Sequence, residues 1–196
     1  MRDGELCALA WEDIDLIRGT ITVRRNLTNQ GDFTPPKTDA GVRTVFLVDS
    51  AIRALKDQLE ITRMRPPAVI TLLSREYGKS SKDEVAFVFN PKVNAINNVS
   101  NDYYTIASIP QTWRAAVKRA GITYRKPYQS RHTYACWSLS AGANPNFIAS
   151  QMGHANAQMV YQVYGSWMKE NDEAQRSLLN EKLNDFVPSL SHIKAI

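Results

Sequence analysis

The chain of 196 residues and 22.1 kDa is 43% hydrophobic, which suits one globular domain with a sizeable core. A formal charge of +5 and a pI near 9.2 favour an acidic partner or surface without identifying it. Apolar runs are too short to cross a bilayer and no signal-like stretch opens the chain, so a soluble cytoplasmic protein is expected, with Cys7 and Cys136 as reduced core thiols.

Residues 5–11 carry the apolar spacing of a short helix, with residues 12–15 as its exit. Gly19 leads into a β-branched strand over residues 20–25, and residues 43–48 read as the returning strand. The loop between them, residues 26–36, places Lys37 near a β-turn or strand edge. Asp49 or Ser50 can cap a helix beginning near Ala51, with Ile52, Leu55, Leu59 and Ile61 as its buried stripe and Pro66-Pro67 as its stop. Residues 69–73 and 85–89 are strand candidates, the first also readable as a buried helical segment. Residues 74–84 and 90–102 read as loops.

A helix over residues 104–120 follows, with Ile106, Ile109, Trp113, Ala116 and Val117 on its apolar side; Pro110 either disturbs its first turns or marks its start. Gly121 terminates it. Pro127 opens a helix in which Arg131, Ala135 and Leu139 recur at fourfold spacing before Gly142. Asn144-Pro145 starts a short helix that Gly153 ends, and residues 157–164 form the next. A tail helix over residues 171–186 carries Ala174, Leu178, Leu179, Leu183 and Phe186 as apolar positions. It either completes this core or packs on a neighbouring subunit, and the pattern leaves both open. Internal repeats, glycine-rich nucleotide loops and calcium loops are absent from the sequence.

The densest chemistry lies between residues 124 and 164. From Tyr103 through Met168 there is no aspartate or glutamate, yet Arg114, Lys118, Arg119, Arg125, Lys126 and Arg131 are all basic. That is a surface for an anion, and arginine forks match phosphate geometry. Tyr128 and Tyr164 add hydroxyls, and His154 follows Gln151-Met152-Gly153. A metal site is poorly motivated, since His132 and His154 have no acidic or cysteine ligands near them and His192 is remote. Taken alone, His132 reads as a side chain packed or hydrogen-bonded near the core, Lys37 as a solubilising loop lysine, and Arg2 as a solvated terminal arginine.

A set of short pieces changes that ranking. These are Met1-Arg2-Asp3-Gly4-Glu5-Leu6 with Leu9-Ala10-Trp11, then Pro36-Lys37-Thr38 with Gly41 and Arg43, then Tyr128-Gln129-Ser130-Arg131-His132-Thr133-Tyr134-Ala135, then Gln151-Met152-Gly153-His154, and Met159-Val160-Tyr161-Gln162-Val163-Tyr164-Gly165. In this order and spacing, from residue 1 to about residue 169, the chain resembles the catalytic domain of the tyrosine recombinase (phage-type integrase) family. The resemblance implies an α+β fold, mainly helical, with a small antiparallel β-sheet near the N-terminal part. Residues 1–169 would be the catalytic domain without its extreme N-terminal portion, and residues 170–196 a C-terminal helix and tail suited to intersubunit packing. The family's amino-terminal DNA-binding domain would also be missing.

By that resemblance Arg2 and Arg131 grip nonbridging oxygens of a scissile DNA phosphate and Lys37 protonates the leaving 5′ oxygen. His154 donates a hydrogen bond to the phosphate. Tyr164 is the nucleophile that forms a 3′-phosphotyrosine, and strand exchange follows by a second transesterification. Tyr128 stands where the family often has histidine and is given a phosphate-positioning role, because a phenol is a poor base at neutral pH. Tyr161 is the competing nucleophile, and Gly165-Ser166 departs from a frequent glycine-histidine continuation. Expected DNA contacts are Arg2, Lys37, Arg43, Arg114, Lys118, Arg125, Lys126, Arg131, His132 and His154. No cofactor and no metal are implied. The expected partners are double-stranded DNA attachment sites, further copies in a tetramer on DNA, and DNA-bending or excision accessory factors, with no membrane. The setting would be the bacterial chromosome or phage DNA, and the resemblance leans to a prophage or mobile-element integrase. A type IB topoisomerase-like enzyme and a noncatalytic DNA-binding remnant are the alternatives.

Overall fold

The computed structural model describes residues 1–93, 99–165 and 172–184. The amino-terminal half contains a short helix α1 (Asp3–Cys7), strands β1 (Ile14–Asp15), β2 (Thr20–Val23), β3 (Asn26–Leu27), β4 (Phe33–Thr34) and β5 (Arg43–Phe46), helix α2 (Asp49–Thr62), and strands β6 (Ala68–Leu73) and β7 (Ser80–Val85). The carboxy-terminal half is helical: α3 (Ile109–Arg119), α4 (Gln129–Ser140), α5 (Pro145–Met152), α6 (Gln158–Tyr164) and α7 (Asp172–Asn184). The fold is therefore α+β and mainly helical, with its small sheets toward the amino terminus.

The strands form two small sheets, ordered β1-β2-β5 and β3-β4-β6-β7. All pairings are antiparallel except β4 with β6, which meet in parallel at Phe33 and Leu72. The β2–β5 pair matches the expected strand and its return, although the return ends at Phe46. The intervening loop itself contains the β3–β4 hairpin.

Several local expectations are corrected. Val48, not Asp49 or Ser50, precedes the first turn of α2, and its carbonyl accepts from Ala51 and Ile52. Asp49 lies inside that turn, where its charge suits the helix N-terminus without a side-chain cap. The polar stretch after β6 is not all loop: Ser80–Val85 pairs along the whole of β6 through main-chain groups that need no apolar side chains. Of the apolar run 85–89 only Val85 belongs to that strand. Phe87 instead bridges Ala10, while Trp11 N–H donates to the Ala86 carbonyl at 2.9 Å and Val88 N–H to the Leu9 carbonyl at 3.0 Å. Pro110 marks a true start, since α3 begins at Ile109 after a 3-10 turn over Ile106–Ser108.

Three apolar clusters hold these pieces. Cys7, Leu27, Phe33, Ile70 and Phe87 join α1 to the four-stranded sheet. Trp11, Ile21, Val23, Leu55 and Val88 join the three-stranded sheet to α2. Ala135, Leu139, Ile148, Met152, Val160 and Tyr164 join α4, α5 and α6. Full burial of such side chains contributes about 1.5–3 kcal/mol each, so the third cluster fixes how the helices bearing Arg131, Gln151 and Tyr164 meet. Gly4 is required where α1 crosses β3, because a Cβ there would come within 2.3 Å of the Leu27 carbonyl oxygen. The tail helix begins at Asp172; the expected positions 171, 185 and 186 lie outside the described residues. No helix among the described residues is long and apolar enough to cross a membrane.

Candidate active site

The site is built around the C-terminal end of α5. That helix starts with Asn144, whose side chain accepts from the Asn146 N–H at 2.8 Å, and with Pro145, whose fixed φ suits the first turn. It stops at Gly153, which adopts φ +67°. The Gly153 N–H returns to the Ser150 carbonyl and the His154 N–H to the Ala149 carbonyl, the two bonds of a Schellman ending. His154 is thereby swung back over the helix end.

The carbonyls left over at this end are taken by arginines from three distant places. Arg43 Nε donates to the Gln151 carbonyl at 2.9 Å, Arg131 Nη2 to the Met152 carbonyl, and Arg2 Nη2 to the Gly153 carbonyl at 3.4 Å. Terminal carbonyls need donors, and the negative end of a helix favours cations. Glu5 supplies the compensating charge. Its carboxylate accepts from Arg43 at 3.0 and 2.8 Å, from Arg2 Nη1 at 3.0 Å and from the Arg2 backbone N–H at 2.8 Å. Gln151 ties the helix to the free edge of β5, accepting from Phe46 N–H at 2.7 Å and donating to the Thr44 carbonyl at 3.3 Å.

Arg131 is buried, and its Nη2 also lies 3.3 Å from His154 Nε2. Its Nε and Nη1 are buried with no hydrogen-bond partner among the described residues, as is His154 Nδ1. Buried donors without partners are costly, and an anion's oxygens would satisfy them. Burial, then the charges of Arg2 and Arg43, lower the Arg131 pKa, opposed by Tyr128 and Glu5. Burial and the positive charges of Arg131, Arg2 and Arg43 lower that of His154, which favours the neutral imidazole.

Tyr164 ends α6 and is 4% exposed, whereas Tyr161 is 50% exposed. The Tyr164 hydroxyl lies 2.5 Å from His132 Nδ1. Burial first, then Cys136 and Tyr128, push its phenol above the ordinary value, while Arg131 draws it down. Tyr128 precedes α4 and lays its ring edge against His132 with centroids 5.2 Å apart. Arg2, Tyr128, Arg131, His154 and Tyr164 thus share one electrostatic neighbourhood.

Lys37 stands apart from it, and Arg43 lies within it in a different role from the one expected. Lys37 is exposed on the bend before the 3-10 turn Asp39–Gly41, without a hydrogen bond or ion pair among the described residues. Arg43, expected against DNA, has its side chain buried on Glu5 and the carbonyls of Gln151 and Gly41, so its task here is to hold the others in place. Arg114, Lys118, Arg125 and Lys126 are all exposed on α3 and the following loop. Arg114 stacks on Tyr124 at 5.2 Å, and Trp113 Nε1 donates to the Arg125 carbonyl at 2.6 Å, fastening that loop to α3. Sequence reasoning missed Glu5 and Gln151 as site-building residues. Glu5 accepts from the Arg2 backbone N–H as a capping glutamate does, but arginine in the cap position hides the usual signal, and no local signal pointed to Gln151.

Comparison with known proteins gives concordant results. The model of the family described as "Phage integrase family" matches residues 1–170. The chain is 55% identical over 197 residues to IntQ of Escherichia coli K12, a protein described as defective, covering 100% of this chain and 49% of the relative. It is 52% identical over 184 residues to the prophage integrase IntR of the same strain, covering 94% and 44%. The chain thus spans about half the length of these curated relatives. Among solved structures, the Tn1549 transposon integrase bound to circular intermediate DNA superposes with a TM-score of 0.61 at 23% identity, covering 84% of this chain and 51% of that one.

Proposed function

The chain belongs to the phage integrase family, and from that premise we propose that it is the strand-cutting and strand-joining domain of a prophage or mobile-element recombinase. Tyr164 attacks a DNA phosphorus, its Oη–P bond forms, the bond to the 5′ oxygen breaks, and a 3′-phosphotyrosine remains. A 5′ hydroxyl from another strand then reverses the step and joins a new partner. The observation that supports this reading most is the convergence of Arg131, with unpaired buried donors, on His154 and on the neighbourhood of the Tyr164 hydroxyl.

The roles follow from position. Arg131 and Arg2 bind nonbridging oxygens and stabilise the charge that builds at the pentacoordinate phosphorus. Neutral His154 donates a further hydrogen bond, and exposed Tyr128 orients the phosphate from the start of α4. Lys37, exposed and without a hydrogen bond or ion pair among the described residues, reaches the leaving 5′ oxygen with its flexible stem once the substrate is bound. Arg114, Lys118, Arg125 and Lys126 follow the DNA backbone, positioning the duplex without reading its bases. Leu178, Leu179 and Leu183 of α7 are about half exposed, which suits packing against another copy in a tetramer assembled on DNA.

A nicked attachment-site duplex tests the reading, because loss of a short leaving strand traps the covalent adduct. The full-length protein should form an adduct that Tyr164→Phe abolishes. Stable DNA binding without an adduct would instead identify a noncatalytic remnant. Relaxation of supercoiled circles without recombinants would identify a topoisomerase.

A further inference from the structure

We infer that His132 accepts the phenolic proton of Tyr164 as the tyrosine attacks, an inference that rests on the reading of Tyr164 as the nucleophile. His132 Nδ1 lies 2.5 Å from the Tyr164 hydroxyl, a hydrogen-bonding contact made between neighbouring helices rather than along one. His132 follows Arg131 directly in α4, so the backbone that fixes the guanidinium also fixes the imidazole. The Tyr128 ring, from the residue that precedes α4, meets the imidazole in a T-shaped contact that limits its rotation.

The neighbouring groups leave this task to His132. Tyr128 is another phenol, and its ring packs on His132. Arg131 is a cation. His154 turns its Nε2 to Arg131 at 3.3 Å, away from the role of a base on the phenol. A neutral imidazole protonated on Nε2 presents Nδ1 as an acceptor, the arrangement that a general base on the phenol requires. Burial of Tyr164 suppresses its spontaneous ionisation, which raises the need for such an acceptor.

The step balances. The Tyr164 O–H bond breaks and its proton passes to His132 Nδ1 while the Oη–P bond forms. The P–O5′ bond breaks and the 5′ oxygen takes a proton from the Lys37 ammonium. On joining, the incoming 5′ hydroxyl gives its proton to the Lys37 amine, and the His132 imidazolium returns one to Tyr164 as the P–Oη bond breaks.

The test uses the full-length protein on a nicked duplex carrying its attachment site, read as the single-turnover rate of adduct formation at saturating DNA. His132→Asn retains an acceptor oxygen that does not take up a proton, and should slow the step about a hundredfold or more with DNA affinity unchanged. Free imidazole should partly restore His132→Gly. A sulfur atom replacing the leaving 5′ oxygen should restore Lys37→Ala and leave His132→Asn slow. If the histidine variants do not fold, the 15N shift of His132 Nδ1 in the unsubstituted protein decides, since it should move on Tyr164→Phe, and no movement overturns the inference. An unaltered rate in His132→Asn, or a loss confined to DNA affinity, overturns it too, while the Tyr164 adduct still stands. No adduct from the unsubstituted protein overturns the nucleophile reading itself, and this inference with it.

Discussion

Glu5 and Arg43 form a two-point carboxylate–guanidinium pair, at 3.0 and 2.8 Å, in which neither side chain is more than 6% exposed. It ties the first helix to the start of β5 and, through the Gln151 carbonyl, to α5.

This pair predicts an acid dependence of stability. Burial pushes the Glu5 carboxyl up, but hydrogen bonds from Arg43 and Arg2 outweigh it and hold the pKa at about 2, below the ordinary 4.5. A depressed carboxyl contributes stability that is fully present above the unfolded pKa and lost as pH falls through the folded one. The contribution should therefore fade between about pH 4.5 and 2, and amount to about 3 kcal/mol. Urea unfolding across that window should show the decline, and Glu5→Gln should remove it while lowering stability at neutral pH.

Gly153→Ala should destabilise more than strain alone explains. Its Cβ would lie 2.8 Å from Arg43 Nη1 and 3.2 Å from the Ala40 carbonyl, at a φ of +67°. Gly142 shares the positive φ but has nothing within 4 Å, so Gly142→Ala isolates the backbone cost. Thermal unfolding should show a loss of about 1 kcal/mol for Gly142→Ala and at least double that for Gly153→Ala.

Removing the Arg131 guanidinium should cost about 3 kcal/mol of transition-state stabilisation, roughly a hundredfold in adduct formation. Arg131→Lys should not recover it, because a single ammonium replaces neither the donor fork nor the grip on the Met152 carbonyl. Single-turnover adduct yields at saturating DNA measure both.

Tyr161→Phe should leave adduct formation within about twofold of normal, since its ring is half exposed and lies outside the buried cluster containing Tyr164. Peptide mapping of the trapped adduct should find phosphodiester only on Tyr164; phosphorylation at 161 would reverse the assignment.

Replacing Lys118 or Lys126 by alanine should weaken DNA binding evenly across sequences and reduce the slope of log K against log salt by about 1 each. Both are exposed in the segment without carboxylates. Titrations at several salt concentrations read the slope, and a change in sequence preference would contradict the assignment.

The helical half was the more legible in sequence. Pro110, Pro145, Gly142 and Gly153 punctuate it, and fourfold spacing placed Arg131, Ala135 and Leu139 on one face, where all three are buried. The sheets were less legible, because β7 is held by main-chain pairing beneath polar residues, and the apolar run after it fills the core instead of extending a strand. At the candidate site, side-chain identities were legible but their holding contacts were not. Arg43 and Gln151 lie 108 residues apart and meet through a carbonyl, which no local pattern encodes.

The end of α5 holds its three arginines by main-chain oxygens rather than by side chains. Amino-acid replacement does not delete a peptide carbonyl, so the outward residues Asn146 and Ser150 are free to drift while the spacing of the cations persists. A combinatorial library over those positions is therefore a route to new surface properties, whereas a side chain at Gly153 or a change in the helix's length would break the template.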